Sequence, residues 1–231
     1  TYNKFGFVRI PKVFDMIDIN NIKNSLEEFI DSNKNKLKGR ELNFASSSKK
    51  INSIHNLKKC KIVKQLKNNK EIIFIAEKFV GEKPKEFGAE LFAKPKKIGM
   101  AAPVHQDNYY WNISKDNGIT IRIALDKSTK KNGSLYYFSG SHKIGIQQHK
   151  ASNVAGTSQT IKNIDILKFF KKKLSLLHPG DIVIHHSSVI HGSGHNKSNI
   201  RRMALNLRFI PKKSKINYYL KKNYEKDLKK K

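Results

Sequence analysis

The chain has 231 residues, with 47 Lys and Arg against 18 Asp and Glu, for a net charge of +29. A hydrophobic content of 38% is enough for one domain with a real core and too high for a disordered chain. No apolar run approaches the roughly 18 residues of a membrane span, and Thr1 to Lys12 holds no apolar signal region, so neither a membrane nor a secreted protein is expected. Cys60 is the only cysteine, so no intrachain disulfide forms, which suits a reducing cytoplasm. Of the 47 cations only six are Arg, and the Lys residues are spread beside Asn, Ile and Phe along the whole chain. Nucleic-acid readers lean on Arg, so a compositional bias toward Lys accounts for the charge better than nucleic-acid binding does. An anionic small substrate is compatible with either reading.

Residues 5–13 read as a short strand entering a turn. Asp18 is placed to cap a helix over about 19–36, with Ile22, Leu26, Phe29 and Ile30 at helical spacing. The polar, Ser-rich stretch 37–54 reads as a loop. A second helical stretch, about 56–80, breaks near Asn68-Asn69. From residue 86 short strands take over: 86–93, then 98–105, then 119–125, where Ile119, Ile121, Ile123 and Leu125 alternate. Asn132-Gly133 marks a turn before a strand at 134–138. Residues 139–163 read as a long polar loop and 164–172 as a short helix. Strands at 175–177 and 181–186 flank the Pro179-Gly180 turn. A last strand runs over 201–210, and 212–231 is a Lys-rich tail with a helix around 218–228. The chain therefore divides into a helical support (1–80), a β core (86–211) and a tail within a single domain. Helices first and short strands after favour a barrel or jelly roll backed by N-terminal helices.

In extended backbone, His105 and Asp107 point the same way, so both can reach one ion. His191 follows 86 residues later, just past a strand. Two His and one carboxylate on one face of a metal make the facial triad of non-heme iron(II) oxygenases. Alone, a His-x-Asp pair is a weak signal. His191, however, opens the run His191-Gly192-Ser193-Gly194-His195-Asn196-Lys197-Ser198, with Arg201-Arg202 close behind. Together with Trp111, Asn132-Gly133-Ser134-Leu135, Gly140-Ser141-His142 and Pro179-Gly180-Asp181 in that order, this resembles the phytanoyl-CoA dioxygenase family, which includes ectoine hydroxylase. The matching order covers about 88–210.

The resemblance implies a mainly β chain: a double-stranded β-helix, the cupin-like jelly roll, with flanking N-terminal α-helices. It implies Fe(II) held by His105, Asp107 and His191, with 2-oxoglutarate and O2 as cosubstrates. Hydroxylation of an unactivated C–H would release succinate and CO2. The far carboxylate of 2-oxoglutarate would pair with an Arg, whose planar fork matches a carboxylate. Arg201 shares the apolar face of the last strand with Met203, Leu205, Leu207 and Phe209. Arg202 shares the polar face with Ala204, Asn206 and Arg208, so Arg202 is the expected partner. Ser193, Trp111 and Gln106 match family positions at the cosubstrate, although extended backbone would turn Gln106 away. Related halogenases lack the carboxylate that Asp107 keeps, which favours hydroxylation. His185 and His186 are expected to be satisfied core or supporting histidines, and His195 to face solvent. The segments 37–56, 108–118 and 139–163 are rich in Lys, Asn and Ser, which points to a small polar or anionic metabolite. The alternatives are the same chemistry on a nucleic acid or other macromolecule, and a non-catalytic metal-binding cupin, which would have no use for Arg202.

Overall fold

A computed structural model describes residues 1–37, 39–46, 48–154 and 156–228. The strands are β1 (Phe7–Ile10), β2 (Leu42–Phe44), β3 (Ile51–Ile54), β4 (Pro84–Lys94), β5 (Ala102–His105), β6 (Ile119–Ala124) and β7 (Leu135–Phe138). They continue as β8 (His149–Val154), β9 (Thr157–Ile161), β10 (Lys172–Leu174), β11 (Ile182–His186), β12 (His191–Ser193) and β13 (Arg202–Pro211). The helices are α1 (Tyr2–Phe5), α2 (Met16–Asn33), α3 (Lys61–Asn68), α4 (Lys70–Val80), α5 (Asn108–Trp111) and α6 (Tyr218–Leu228). A seven-stranded sheet runs β1-β11-β6-β13-β4-β3-β2, a four-stranded sheet runs β10-β7-β12-β5, and β8-β9 form a separate hairpin. Neighbouring strands pair antiparallel throughout. This is the mainly β, jelly-roll architecture expected from the sequence.

The alternation along β13 explains the layering. Met203, Leu205, Leu207 and Phe209 join Ile119, Ile121 and Ile123 of β6 in the main core, against Ile22 and Leu26 of α2 and Ile72 and Ala76 of α4. Burying each such side chain contributes about 1.5–3 kcal/mol. Arg202, Asn206 and Arg208 project from the other face and line a cavity. One sheet thus carries a dry side that holds the helices and a wet side that holds the site. The long β13–β4 pairing sets Arg202 opposite Lys94 and Asn206 opposite Glu90.

Local signals account for the helix ends and for the departures from expectation. The cap of α2 is Asp15, whose carboxylate accepts the Asp18 N–H at 2.8 Å, so the helix starts three residues before the expected site. Asn69 breaks the second helical stretch by capping α4, accepting the Glu71 and Ile72 N–H groups at 2.9 and 3.1 Å. The stretch 37–54 is not a loop throughout: β2 and β3 form a hairpin at the edge of the large sheet. The stretch 139–163 likewise contains the β8–β9 hairpin. In both hairpins polar side chains are buried, among them Asn52 and Ser53 in one and His149, Ser152 and Gln159 in the other. A hydrophobic period of two is therefore silent there. The helix expected at 164–172 is a 3-10 helix over Ile164–Phe169. The strand expected at 175–177 contributes one bridge, Leu177 to Ser128, while β10 lies just before it. The tail forms α6 as expected, and residues 229–231 lie outside the described residues, as do 38, 47 and 155. No helix among the described residues is long and apolar enough to cross a membrane.

Candidate metal centre

His105 ends β5 and His191 begins β12, and the two are register partners in adjacent strands, which brings their ring centroids to 4.4 Å. Asp107 is not extended. It has helical backbone angles (φ −58, ψ −40) at the entry to α5, so the turn after β5 delivers its carboxylate rather than the strand. Asp107 Oδ1 lies 3.6 Å from His105 Nε2 and 3.7 Å from His191 Nε2, and one ligand atom from each residue falls within 4.8 Å of the others. Donors that each sit about 2.1 Å from one ion need a spacing of this order.

The chemistry of the donor set also suits a divalent metal. His105 Nδ1 donates to Pro103 O at 2.7 Å and His191 Nδ1 to Val189 O at 3.0 Å. Each backbone bond fixes the tautomer that leaves Nε2 as a lone pair facing the common point. Burial, and then the neighbouring His105, push His191 down to about 3, so its ring stays neutral. Burial works against the Asp107 anion, but the surrounding histidine rings, His191, His105 and His185, hold it well below the usual carboxylate range. Its second oxygen, Oδ2, accepts Thr120 Oγ1–H at 2.8 Å and the His185 Nε2 contact at 3.1 Å, and His185 Nδ1 faces the Tyr137 hydroxyl at 3.0 Å. His185 is thus the supporting histidine of the pair, while His186 turns its Nδ1 to the Ser188 N–H.

The triad opens onto a cavity of about 420 Å³ whose wall includes Ser193, Trp111 and Arg202. Arg202 is buried. Its Nη2 donates to Gly133 O at 2.8 Å, and its Nε has no partner. Gly133 has φ +79, and a Cβ there would lie 2.4 Å from Gly194 O, so the Asn132-Gly133 turn packs directly on the Gly-rich run after His191. Ser193 Oγ accepts from Lys94 Nζ at 2.7 Å and from the Ala102 N–H at 3.2 Å. Trp111 borders the cavity and also packs with Phe87, Ile113 and Ile210. Gln106 does not reach the cavity. Its carboxamide donates to Gly145 O and Ser188 O at 2.9 and 2.6 Å and accepts the Gln147 N–H at 2.7 Å. It is committed to tying the turn of the triad to the following loops.

Several cavity groups carried no sequence motif. Lys94 is buried and donates to Ser193 Oγ and Gly194 O, and burial, followed by the Arg202 and Arg122 charges, pushes it down to about 5. Arg122 donates Nη1 to Asn206 Oδ1 at 2.8 Å, and its buried Nη2 has no partner. Glu90 meets His55 Nδ1 at 2.7 Å and Arg208 Nη1 at 3.2 Å. Burial opposes its ionisation, yet Arg208 and His55 bring it to about 2. Tyr224 of α6 closes one side of the cavity beside Tyr110, with ring centroids 5.8 Å apart.

A family model described as phytanoyl-CoA dioxygenase (PhyH) matches residues 2–204. The chain is 28% identical over 148 residues to a probable alpha-ketoglutarate-dependent hypophosphite dioxygenase of Stutzerimonas stutzeri, covering 62% of this chain and 51% of that protein. It is 25% identical over 222 residues to the peroxisomal phytanoyl-CoA dioxygenase of Homo sapiens, covering 90% and 66%. The chain therefore spans between about half and two thirds of the length of these two relatives. Among solved structures it is similar to EctD from S. alaskensis with 2-oxoglutarate and 5-hydroxyectoine, with a TM-score of 0.77 at 16% identity over 91% of this chain and 73% of that one. It is also similar to the alpha ketoglutarate dependent carbocyclase SnoK from nogalamycin biosynthesis, with a TM-score of 0.76 at 21% identity over 93% and 83%. At these identities the two structures speak for the fold.

Proposed function

Because this chain belongs to the phytanoyl-CoA dioxygenase family, we propose that it is an iron(II)- and 2-oxoglutarate-dependent oxygenase that hydroxylates a small polar or anionic metabolite. One observation carries the reading: a His-Asp-His set with both Nε2 lone pairs turned to one point shares a cavity with an arginine whose Nε is buried and unpartnered. A non-catalytic metal-binding cupin has no use for such an arginine, because a buried unpaired guanidinium costs several kcal/mol. When bound, iron(II) would supply the activation of O2, the oxidant, with one oxygen atom going to the substrate C–H and the other to 2-oxoglutarate, which leaves as succinate and CO2.

The chain's own residues do the rest. His105, Asp107 and His191 would hold the metal on one face and leave the opposite positions open. Thr120 and His185 aim the Asp107 carboxylate so that Oδ1 is the free donor. Arg202 would take the far carboxylate of the cosubstrate, with Ser193 beside it and Trp111 in the wall, while Gln106 serves as a positioning residue behind the triad. The buried walls keep bulk water from the reacting bond. A cavity of about 420 Å³ suits a small molecule. The name of the hypophosphite dioxygenase relative, a protein that acts on a small anion, supports the anionic end of this range. The buried lone thiol of Cys60 agrees with a cytoplasmic setting.

Anaerobic addition of iron(II) and 2-oxoglutarate tests the reading. The expected result is the visible charge-transfer band of the chelate, with succinate formed once oxygen is admitted. No band in the wild-type protein, or the same band and succinate yield in Asp107→Ala, would sink it.

A further inference from the structure

The cavity wall carries three guanidinium groups, Arg122, Arg202 and Arg208, a lysine that burial holds down to about 5, Lys94, and two carboxylates, Asp107 and Glu90. Glu90 is paired with Arg208 at 3.2 Å and with His55 at 2.7 Å. Asp107 is taken by the histidines and Thr120. Lys94, Arg122 and Arg202 therefore make no ion pair among the described residues. Three guanidinium charges against two carboxylates leave an excess of one positive charge, and a divalent metal and a doubly charged cosubstrate cancel each other, so loading the site leaves that excess in place. Unpaired buried cations are costly, and an anion that enters the cavity relieves that cost.

These three groups are not equivalent. Arg202 and Lys94 are register partners on β13 and β4, and both belong to the corner formed by Ser193, Gly133 and Gly194. Arg122 stands apart on β6, opposite Asn206. Arg122 thus hangs from a backbone position about 13 Å along the sheet from the Arg202–Lys94 pair, at 3.3 Å per residue, with its charge still acting on both. Its guanidinium is clamped from two sides. Nη1 donates to Asn206 Oδ1 at 2.8 Å, and the Phe92 ring lies 5.5 Å below the plane-bearing carbon. The remaining Nη2 is buried without a partner. A rigid fork with one tine engaged and one free, in a wall that retains excess positive charge, is a seat for an oxyanion.

Resting on the oxygenase reading above, we propose that Arg122 anchors a small oxyanion group of the substrate, a carboxylate or phosphorus oxyanion, in a second anion seat distinct from the cosubstrate corner. The substrate class is thus a compact anion whose charged end is held at β6 while its C–H end faces the metal.

Trp111 is the only tryptophan and borders the cavity, so its emission reports occupancy. The wild-type protein is first loaded with Mn(II) and saturating 2-oxoglutarate. Failure to take these up is read before any further addition, and it sinks the oxygenase reading and this proposal with it. Acetate, inorganic phosphate or neutral acetamide is then titrated into the loaded protein. Saturable emission changes are expected with acetate and phosphate and none with acetamide. Arg122→Gln should weaken the anions by about tenfold or more, as expected for losing a hydrogen bond to a charged group. Its 2-oxoglutarate affinity should fall by clearly less than its anion affinity, because Arg202 keeps its own guanidinium fork for the cosubstrate. Asn206→Asp sets a carboxylate against the retained arginine and should abolish the anion response as well, while Arg122→Lys should restore part of it. Anion affinity unchanged in both Arg122→Gln and Asn206→Asp overturns the proposal. So does acetamide binding as well as acetate, or a loss that falls on 2-oxoglutarate instead of the anions.

Discussion

The metal corner and the cationic corner of the cavity are built on opposite terms. At the metal corner every ligand is oriented from behind: Pro103 O holds His105, Val189 O holds His191, and Thr120 and His185 hold Asp107. At the cationic corner Arg202 Nε is buried and unpartnered and Lys94 is wedged among like charges, and farther along the same wall Arg122 Nη2 is buried and unpartnered too. A corner satisfied from behind is ready for its ion before the ion comes. A corner left unsatisfied stores a cost that an incoming anion removes, which makes it a binding device and not a stabilising one.

The contrast breaks most sharply at the triad. Asp107→Ala should abolish metal uptake and succinate formation, measured by metal content and by product assay. At the cationic corner, Arg202→Met should weaken 2-oxoglutarate by about two to four orders of magnitude, the equivalent of the 3–5 kcal/mol typical of breaking a buried pair. The same variant without cosubstrate should melt no lower than the wild type, because an uncompensated charge has been removed; a lower melting temperature in calorimetry would mean that Arg202 holds the fold. His185→Gln tests the support behind the triad. It should lower metal affinity by about 10–100-fold while the fold persists, as for partners that orient metal ligands.

The smallest effect concerns pH. Folding holds Lys94 down to about 5, mainly by burial, from its usual 10.5. Between those values the unfolded chain binds a proton that the folded chain does not, so stability rises with pH through that window. Lys94→Met should flatten this slope between about pH 6 and 9 and raise the melting temperature most at the acid end. Each kcal/mol regained is worth roughly 2–4 °C in a chain of this size. An unchanged slope in thermal melts across the range would show that Lys94 keeps its charge in the fold.

Much of the site was legible where chemistry coincides with a motif. The His105-x-Asp107 pair, the Gly-rich run after His191 and the alternation that separates Arg202 from Arg201 all point to groups that meet at one cavity. The same alternation on β6, with Ile119, Ile121 and Ile123 toward the core, turns Thr120 and Arg122 toward the site, so both were readable in principle. Lys94 is legible only as a residue on a strand leading to the site, with Phe92, because nothing in a Lys-rich chain marks one lysine as buried and engaged. The β2–β3 and β8–β9 hairpins stayed hidden for a related reason. Their buried positions are polar, since the cavity and the hydrogen-bonded loops around it replace an apolar core there. Gln106 looked like a cosubstrate contact, and only the three-dimensional course of the loops at Gly145, Gln147 and Ser188 reveals that its carboxamide is fully engaged elsewhere.

Helix α6 lies beyond the residues that the family model matches. It buries no residue of its own and is fastened by the Tyr109 hydroxyl on Asp227, the Asn217 N–H on Asn112 O and a bridge between Ile113 and Ile216. Yet it contributes Tyr224 to the wall of the cavity. Part of the cavity wall is therefore an appendage, joined by a handful of bonds to α5 and the residues just after it and carrying none of His105, Asp107 and His191. A change in such a part reshapes one side of the cavity and leaves the strands that carry His105 and His191 as they are.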